Sequence, residues 1–204
     1  IFFETSIFGV VALFISKFGT VPIAAHQAAM NFTSLLYMLP LSFSMALTIL
    51  VGVEVGARRF SEAQLFAKTG RYASWVIATI FAIFLFTCRY YVAELYSPDQ
   101  EIILLAGNFL LYDVVFQFCD ATAAPIQGIL RGYKDVKAPF YFSLIAYWAI
   151  SLPLGIVLDV WGGQGPYGYW QGLIAGIFFS ALFLTLRLKY VEKNVRMGKW
   201  VIPE

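Results

Sequence analysis

Charged side chains are what this sequence has least of. Asp, Glu, Lys and Arg make up 13% of its 204 residues, about half of the ~25% usual in soluble domains. So few cannot cover a globular surface facing water. Histidine occurs once, at His26, which removes most hydrolytic schemes built on a histidine base. No HExxH, GxSxG, phosphate-binding glycine loop or paired-cysteine ligand set is present, so nothing in the chain reads as an enzyme. The two cysteines, Cys88 and Cys119, fall in apolar stretches without CxxC spacing, and they read as small packing residues rather than a thiol site or disulfide. The net charge of +2 and the lack of a basic stripe point away from nucleic acid.

What the chain has in abundance is apolar surface: 60% hydrophobic residues, 18% of all residues aromatic, and a mean hydropathy of +0.76. The length allows about six spans of roughly 20 residues. Six apolar runs are found, near 1–16, 22–53, 72–91, 102–130, 138–158 and 169–188. They are apolar around most of the helix, without period-two alternation, so helices fit and barrel strands do not. Lipid admits only those two architectures, because backbone polar groups must be satisfied internally. Pro40 lies inside the second run and is expected to kink it, and Pro153 lies inside the fifth. A glycine-rich loop, 161–168, separates the last two runs. The chain opens at Ile1 within an apolar run and without an initiator Met, so we expect a piece of a longer polypeptide and no readable signal peptide.

Loop charge gives the orientation. Arg58, Arg59, Lys68 and Arg71 lie between runs two and three, and Arg131, Lys134 and Lys137 between four and five. Arg187, Lys189, Lys193, Arg196 and Lys199 follow run six. Only Lys17 and Arg89 of the 14 Lys and Arg residues lie on the other side, with Glu94, Asp99, Glu101 and Asp159. By the positive-inside rule the first helix runs outward and the C-terminus is cytoplasmic. The expected fold is an all-α membrane protein, a bundle of six transmembrane helices.

A carboxylate near mid-membrane costs about 2.5–3.5 kcal/mol even on insertion scales, so such residues tend to face a cavity or serve transport. The candidates are Glu4 in the first run and Asp113 and Asp120 in the fourth. Asp113 and Asp120 share a helix face two turns apart, with Gln117 between them. Two buried carboxylates that approach one another either share a proton or hold a cation, which suits H⁺ or Na⁺ and attracts a cationic substrate. Asp113 alone could instead be a polar cap bonded to a neighbouring helix. Glu54, beside Arg58 and Arg59, reads as an interfacial ion pair. His26 reads as an interhelical hydrogen-bonding group, and Asn31, Thr33, Ser34, Ser42, Ser44 and Thr48 suit either a cavity lining or helix packing.

Several segments together resemble the MATE (multidrug and toxic compound extrusion) family, specifically the second half of a bacterial NorM-type transporter. They are Phe2-Phe3-Glu4, Ala24-Ala25-His26-Gln27, Pro40-Leu41-Ser42-Phe43-Ser44-Met45-Ala46, Val51-Gly52-Val53-Glu54-Val55-Gly56-Ala57, Cys119-Asp120 and Leu130-Arg131-Gly132-Tyr133-Lys134-Asp135. Their order and spacing cover almost the whole chain. The resemblance implies that residues 1–204 form one six-helix lobe, helices 7–12 of a twelve-helix transporter, with the N-terminal lobe absent from this chain. It implies multidrug efflux by antiport from a bacterial inner membrane, exporting organic cations in exchange for Na⁺ or H⁺, with no cofactor beyond that ion. The partners so implied are the lipid bilayer, cationic small molecules and the missing lobe. Glu4 and Asp120 match the family's coupling-cation carboxylates and are the expected Na⁺ ligands. Phe116 stands where some members carry a tyrosine, which would remove a hydroxyl ligand. Asp113, Phe116, Gln117, Asn31 and His26 are expected to line the cavity. The rivals are a lipid-linked oligosaccharide flippase of the same superfamily, which should need basic residues within its helices, and a membrane subunit without transport of its own.

Overall fold

A computed structural model describes the backbone of residues 2–199 and the side chains of 6–199. Among the described residues there are six helices: α1 (Phe2–Ser16), α2 (Thr20–Gly56), α3 (Phe60–Glu94), α4 (Gln100–Gly132), α5 (Lys137–Val160) and α6 (Pro166–Arg196). Five of them, α2 to α6, are long and apolar enough to cross a membrane. The described part of α1, Ser6–Ser16, is apolar but shorter. At 37 residues, α2 extends roughly 55 Å, well beyond a hydrocarbon core of about 30 Å. The helices therefore continue past their apolar runs, and Lys68, Arg71, Arg131, Lys137 and Arg187 lie on helix ends rather than in loops.

Helix α4 is the axle of the bundle. Neighbours α2, α3 and α6 pack against it, and it buries Phe109, Leu110, Ile126, Ile129 and Leu130 almost completely. The α2–α4 seam is close because glycine forms it: a Cβ on Gly128 would stand 2.1 Å from the Ser44 carbonyl oxygen, and one on Gly132 would stand 2.9 Å from Val51 Cβ. The Thr48 hydroxyl lies 2.8 Å from the Ser44 carbonyl in its own helix and 3.1 Å from the Gly128 carbonyl across the seam. Small residues allow this approach, and within lipid close van der Waals contact is what drives helices together. Leu13, Met38, Ile49, Val76 and Phe86 are instead more than half exposed, as side chains facing acyl chains are.

Prolines act unequally. α2 runs unbroken through Pro40 and α4 through Pro125, both buried, so neither proline ends its helix. Before Pro153 the fifth helix changes to a π-helical segment over Ile145–Ser151. Proline has no N–H for the carbonyl one turn earlier, and a wider turn is one way a helix absorbs that loss. Gly172 and Gly176 of α6 accept this segment closely: Cβ atoms there would come within 2.6 Å of Ser151 O and 2.5 Å of Ser151 Cβ.

The helix ends on the basic side close by a shared device. Arg58 and Lys134 take left-handed φ angles of 59° and 61°. The following amides of Arg59 and Asp135 return to the carbonyls of Glu54 and Leu130 at 2.8 and 2.9 Å, the hydrogen-bond pattern usually completed by glycine. Asp135 then accepts from Arg187 Nε on α6 at 2.6 Å, and Glu54 pairs with Arg59 through both oxygens. At the opposite end Lys17 pairs with Asp159, which also accepts from Tyr169 at 2.9 Å. Phe14 stacks on the Tyr169 ring, its centroid 5.6 Å away. This cluster ties the C-terminal end of α1 to α5 and α6.

Candidate functional site

The acids of α4 separate into two environments. Asp120 opens on a cavity of about 150 Å³ bounded by α1, α2, α4 and the π segment of α5. Phe8 of α1 covers it and meets Phe116 edge-on at 6.1 Å. Oxygen-bearing side chains around the same space are Thr33, Ser34 and Tyr37 from α2, Gln127 from α4 and Tyr147 from α5. Asp120 itself is 6% exposed. This is a small, largely apolar chamber with one carboxylate and several neutral oxygens, a donor set suited to a proton or a hard monovalent cation.

Asp113 lies elsewhere. Seven residues along an α-helix is roughly 10 Å, too far for the two carboxylates to share one ion. Asp113 is completely buried between α4 and α2, beside Thr33 and Gln117, and borders neither of the cavities on this face. Gln117 is 2% exposed and likewise packed in the seam. The expectation that these two line the cavity is thus not what the described residues show; helix register puts them on the α2-facing stripe, where α2 fills the space.

A second, wider groove of about 700 Å³ adjoins the first and shares Phe8, Met30 and Ser34 with it. His26, Gln27 and Asn31 border this groove. Asn31 accepts a 2.9 Å hydrogen bond from the Tyr96 hydroxyl. His26 is 1% exposed and packs edge-on against Trp170 and Phe109, with centroids 5.7 and 6.5 Å away. Its Nδ1 makes no hydrogen bond among the described residues, so the interhelical bond expected of it is not seen there.

Glu4 falls within α1, one turn before Phe8, but its side chain lies outside the described residues. Among the described residues no three His, Cys, Asp or Glu side chains are grouped to hold a metal. Cys88 and Cys119 are both free thiols. Sequence reasoning missed Tyr37, Gln127 and Tyr147. The usable signal for Tyr147 was its place six residues before Pro153, where a π turn re-aims side chains.

Comparison with known proteins agrees with this architecture. The MatE family model matches residues 1–157. The probable multidrug resistance protein NorM of Geobacillus kaustophilus is 51% identical over 199 residues, covering 98% of this chain and 44% of that protein. The protein of the same name from Bacillus licheniformis is 50% identical over 194 residues, 95% of this chain and 43% of that one. The chain thus spans less than half the length of these curated relatives. Among solved structures, the eukaryotic MATE transporter AtDTX14 superposes with a TM-score of 0.87 at 22% identity, over 96% of this chain and 45% of that one. Inward-facing and outward-facing structures of a multidrug resistance MATE family transporter each give 0.85, at 14% and 15% identity, over 97% and 95% of this chain and 47% and 43% of theirs. The names are those of transporters and resistance proteins, not of enzymes. This multi-pass membrane chain belongs to the MatE family.

Proposed function

We propose that this chain is the C-terminal six-helix lobe, helices 7–12, of a twelve-helix antiporter that exports cationic drugs in exchange for Na⁺ or H⁺. In this reading Asp120, with Glu4 from α1, holds the coupling ion. The observation that carries it is a buried carboxylate on a chamber that Phe8 of α1, Tyr37 and Tyr147 also border. Glu4 stands one turn before Phe8. Those phenols offer oxygens that the Phe116 position lacks. An ion entering from outside neutralises the acids and favours the arrangement that has released the drug; its departure inward resets the site. The wider groove, with Asn31, Gln27 and His26 on its wall, faces the missing lobe and forms half of the drug path.

Several features support this reading. The lobe fits inward-facing and outward-facing transporters equally well, and α2 and α4 run unbroken through their prolines. Switching is therefore chiefly a rocking of one lobe against the other. The basic helix ends, on one side in alternation, support a cytoplasmic C-terminus and a bacterial inner membrane as the location. A pyrophosphate-linked cargo would call for basic side chains, and among the described residues no Lys or Arg borders either of these two cavities.

The test is the full-length protein in proteoliposomes, with ethidium movement followed under an imposed Na⁺ or H⁺ gradient. Gradient-driven movement supports the antiporter. Movement of a lipid-linked oligosaccharide instead, or of nothing, sinks it in favour of a flippase or a non-transporting subunit.

A further inference from the structure

The antiport reading uses the side of α4 that carries Asp120, and the opposite side of α4 is the floor of a third space. There α3 and α6 both pack on α4 with little contact between them, leaving an open crevice of about 410 Å³. Trp75 of α3, Phe118 and Thr122 of α4, and Phe178, Leu182 and Thr185 of α6 line it. Phe118 and Thr122 stand two residues either side of Asp120, which turns each of them about 200° around the helix from it. The crevice opens at the depth of the apolar runs, and Trp75 and Phe178 are half exposed on its walls.

The lining calls for an apolar occupant. The Trp75 indole N–H donates to Thr122 Oγ1 at 3.0 Å, and that hydroxyl donates to the Phe118 carbonyl at 3.0 Å. Thr185 donates to the Ala181 carbonyl at 2.6 Å. The polar hydrogens of these three side chains are therefore spent inside the protein. What remains for a ligand is hydrocarbon, ring faces and the Cys119 thiol, a weak donor. The basic end of the crevice adds a second, independent feature. On α3, Arg71 precedes Trp75 by one turn on the same face, and on α6 Lys189 follows Thr185 by one turn. Because α3 begins and α6 ends on the basic side, both steps lead about 6 Å toward it. Lys68 and Lys193 continue the two stripes by a further turn. Neither Arg71 nor Lys189 forms a salt bridge among the described residues. Arg71 Nε bonds to the Ala67 carbonyl at 3.3 Å, which leaves the rest of the guanidinium for a ligand. The acids at this end are engaged elsewhere: Glu54 with Arg59, Asp135 with Arg187, Glu62 toward Arg59, and Glu192 beside Tyr133 with one oxygen buried.

We propose that this crevice binds one anionic phospholipid from the leaflet on the basic side. An acyl chain lies between α3 and α6 on the Phe118–Thr122 floor, and the headgroup phosphate sits between Arg71 and Lys189. Arginine donates to two phosphate oxygens in a fork and lysine supplies a point charge; basic pockets between membrane helices hold anionic headgroups in this way. The bound lipid fills the gap that the protein leaves and ties α3 to α6. The site involves neither the coupling ion nor the drug path, so it stands or falls apart from the antiporter reading.

The test is native mass spectrometry of the full-length protein released from micelles that contain phosphatidylglycerol or phosphatidylcholine. One phosphatidylglycerol should stay bound where phosphatidylcholine does not. Arg71→Gln combined with Lys189→Gln should weaken that retention roughly tenfold or more. Leu182→Trp, which fills the crevice without changing charge, should weaken it as well. The control, Arg58→Gln combined with Lys137→Gln, removes two charges from the same side but from neither α3 nor α6, and should leave retention unchanged. Equal weakening by the control reduces the effect to general attraction by the basic helix ends and overturns the proposal. Equal retention of phosphatidylcholine overturns the anionic headgroup site. No effect of Leu182→Trp shows that something other than an acyl chain, such as the second lobe, covers the crevice, and overturns it too. If a variant does not fold, brominated lipids test the Trp75 wall directly. The quenching of Trp75 fluorescence, taken as the difference between wild type and Trp75→Phe, should saturate at a lower fraction of brominated phosphatidylglycerol than of brominated phosphatidylcholine. Identical curves contradict the site.

Discussion

Replacing Gly128 with alanine adds one methyl group where the structure has no room for it. The new Cβ would lie 2.1 Å from Ser44 O, whereas C···O contacts between helices settle near 3.3–3.6 Å, so α2 must retreat by about 1 Å or more. Overpacking of this kind costs typically 1–3 kcal/mol. Retreat also stretches the contact of Thr48 Oγ1 with the Gly128 carbonyl, now 3.1 Å, a class of bond that averages about 0.6 kcal/mol in membranes. Against these, alanine gains up to about 1 kcal/mol of helix propensity over glycine. The expected net loss is about 1–3 kcal/mol. Gly9→Ala is the control, because nothing lies within 4 Å of a Cβ there; it should be neutral or gain up to about 1 kcal/mol. Reversible unfolding of both variants in mixed micelles, titrated with dodecyl sulfate, gives the two differences directly. Equal stabilities for Gly128→Ala and Gly9→Ala would show that the α2–α4 seam is not the tight contact described.

Other consequences are smaller but as specific. Lys134 sits at φ 61°, which costs an L-residue roughly 1–2 kcal/mol; Lys134→Gly should raise stability by about 1 kcal/mol in the same unfolding assay, and a loss would contradict the strained turn. Lys17, in the loop between α1 and α2, has its amine held above the ordinary 10.5, chiefly by its hydrogen bond to Asp159. A pKa raised on folding stabilises below 10.5 and is lost as pH climbs past it. The wild-type protein should therefore show a small alkaline loss of stability that Asp159→Asn lacks, read from melting temperatures across pH 9 to 12. Tyr147→Phe removes the hydroxyl of a residue that borders the Asp120 chamber and should raise the ion concentration for half-maximal efflux roughly fivefold, the worth of one hydrogen bond; unchanged ion dependence would remove Tyr147 from the site.

Much of the bundle was legible because lipid imposes long apolar helices and charge asymmetry at their ends. The six apolar runs correspond one for one with α1 to α6. Their ends were not legible, since hydropathy stops at the membrane while α2 and α3 continue as amphipathic or charged helix beyond it. Pairing Asp113 with Asp120 by helical periodicity was correct as to face and uninformative as to environment: only the position of α2 shows that one acid borders a chamber and the other is sealed in a seam. Tyr147 was one of 12 tyrosines, and nothing local distinguishes it until the π segment turns it toward α4. Pro40, expected to kink its helix, does not end it: α2 continues as helix on both sides of the proline.

The central claim is that Asp120 is where the coupling ion meets this lobe. Ethidium movement in proteoliposomes, measured with and without an imposed Na⁺ or H⁺ gradient for wild type and Asp120→Asn, tests it most directly. The account predicts that Asp120→Asn still lets ethidium equilibrate but no longer responds to either gradient. Gradient-driven efflux that persists undiminished in Asp120→Asn would contradict it.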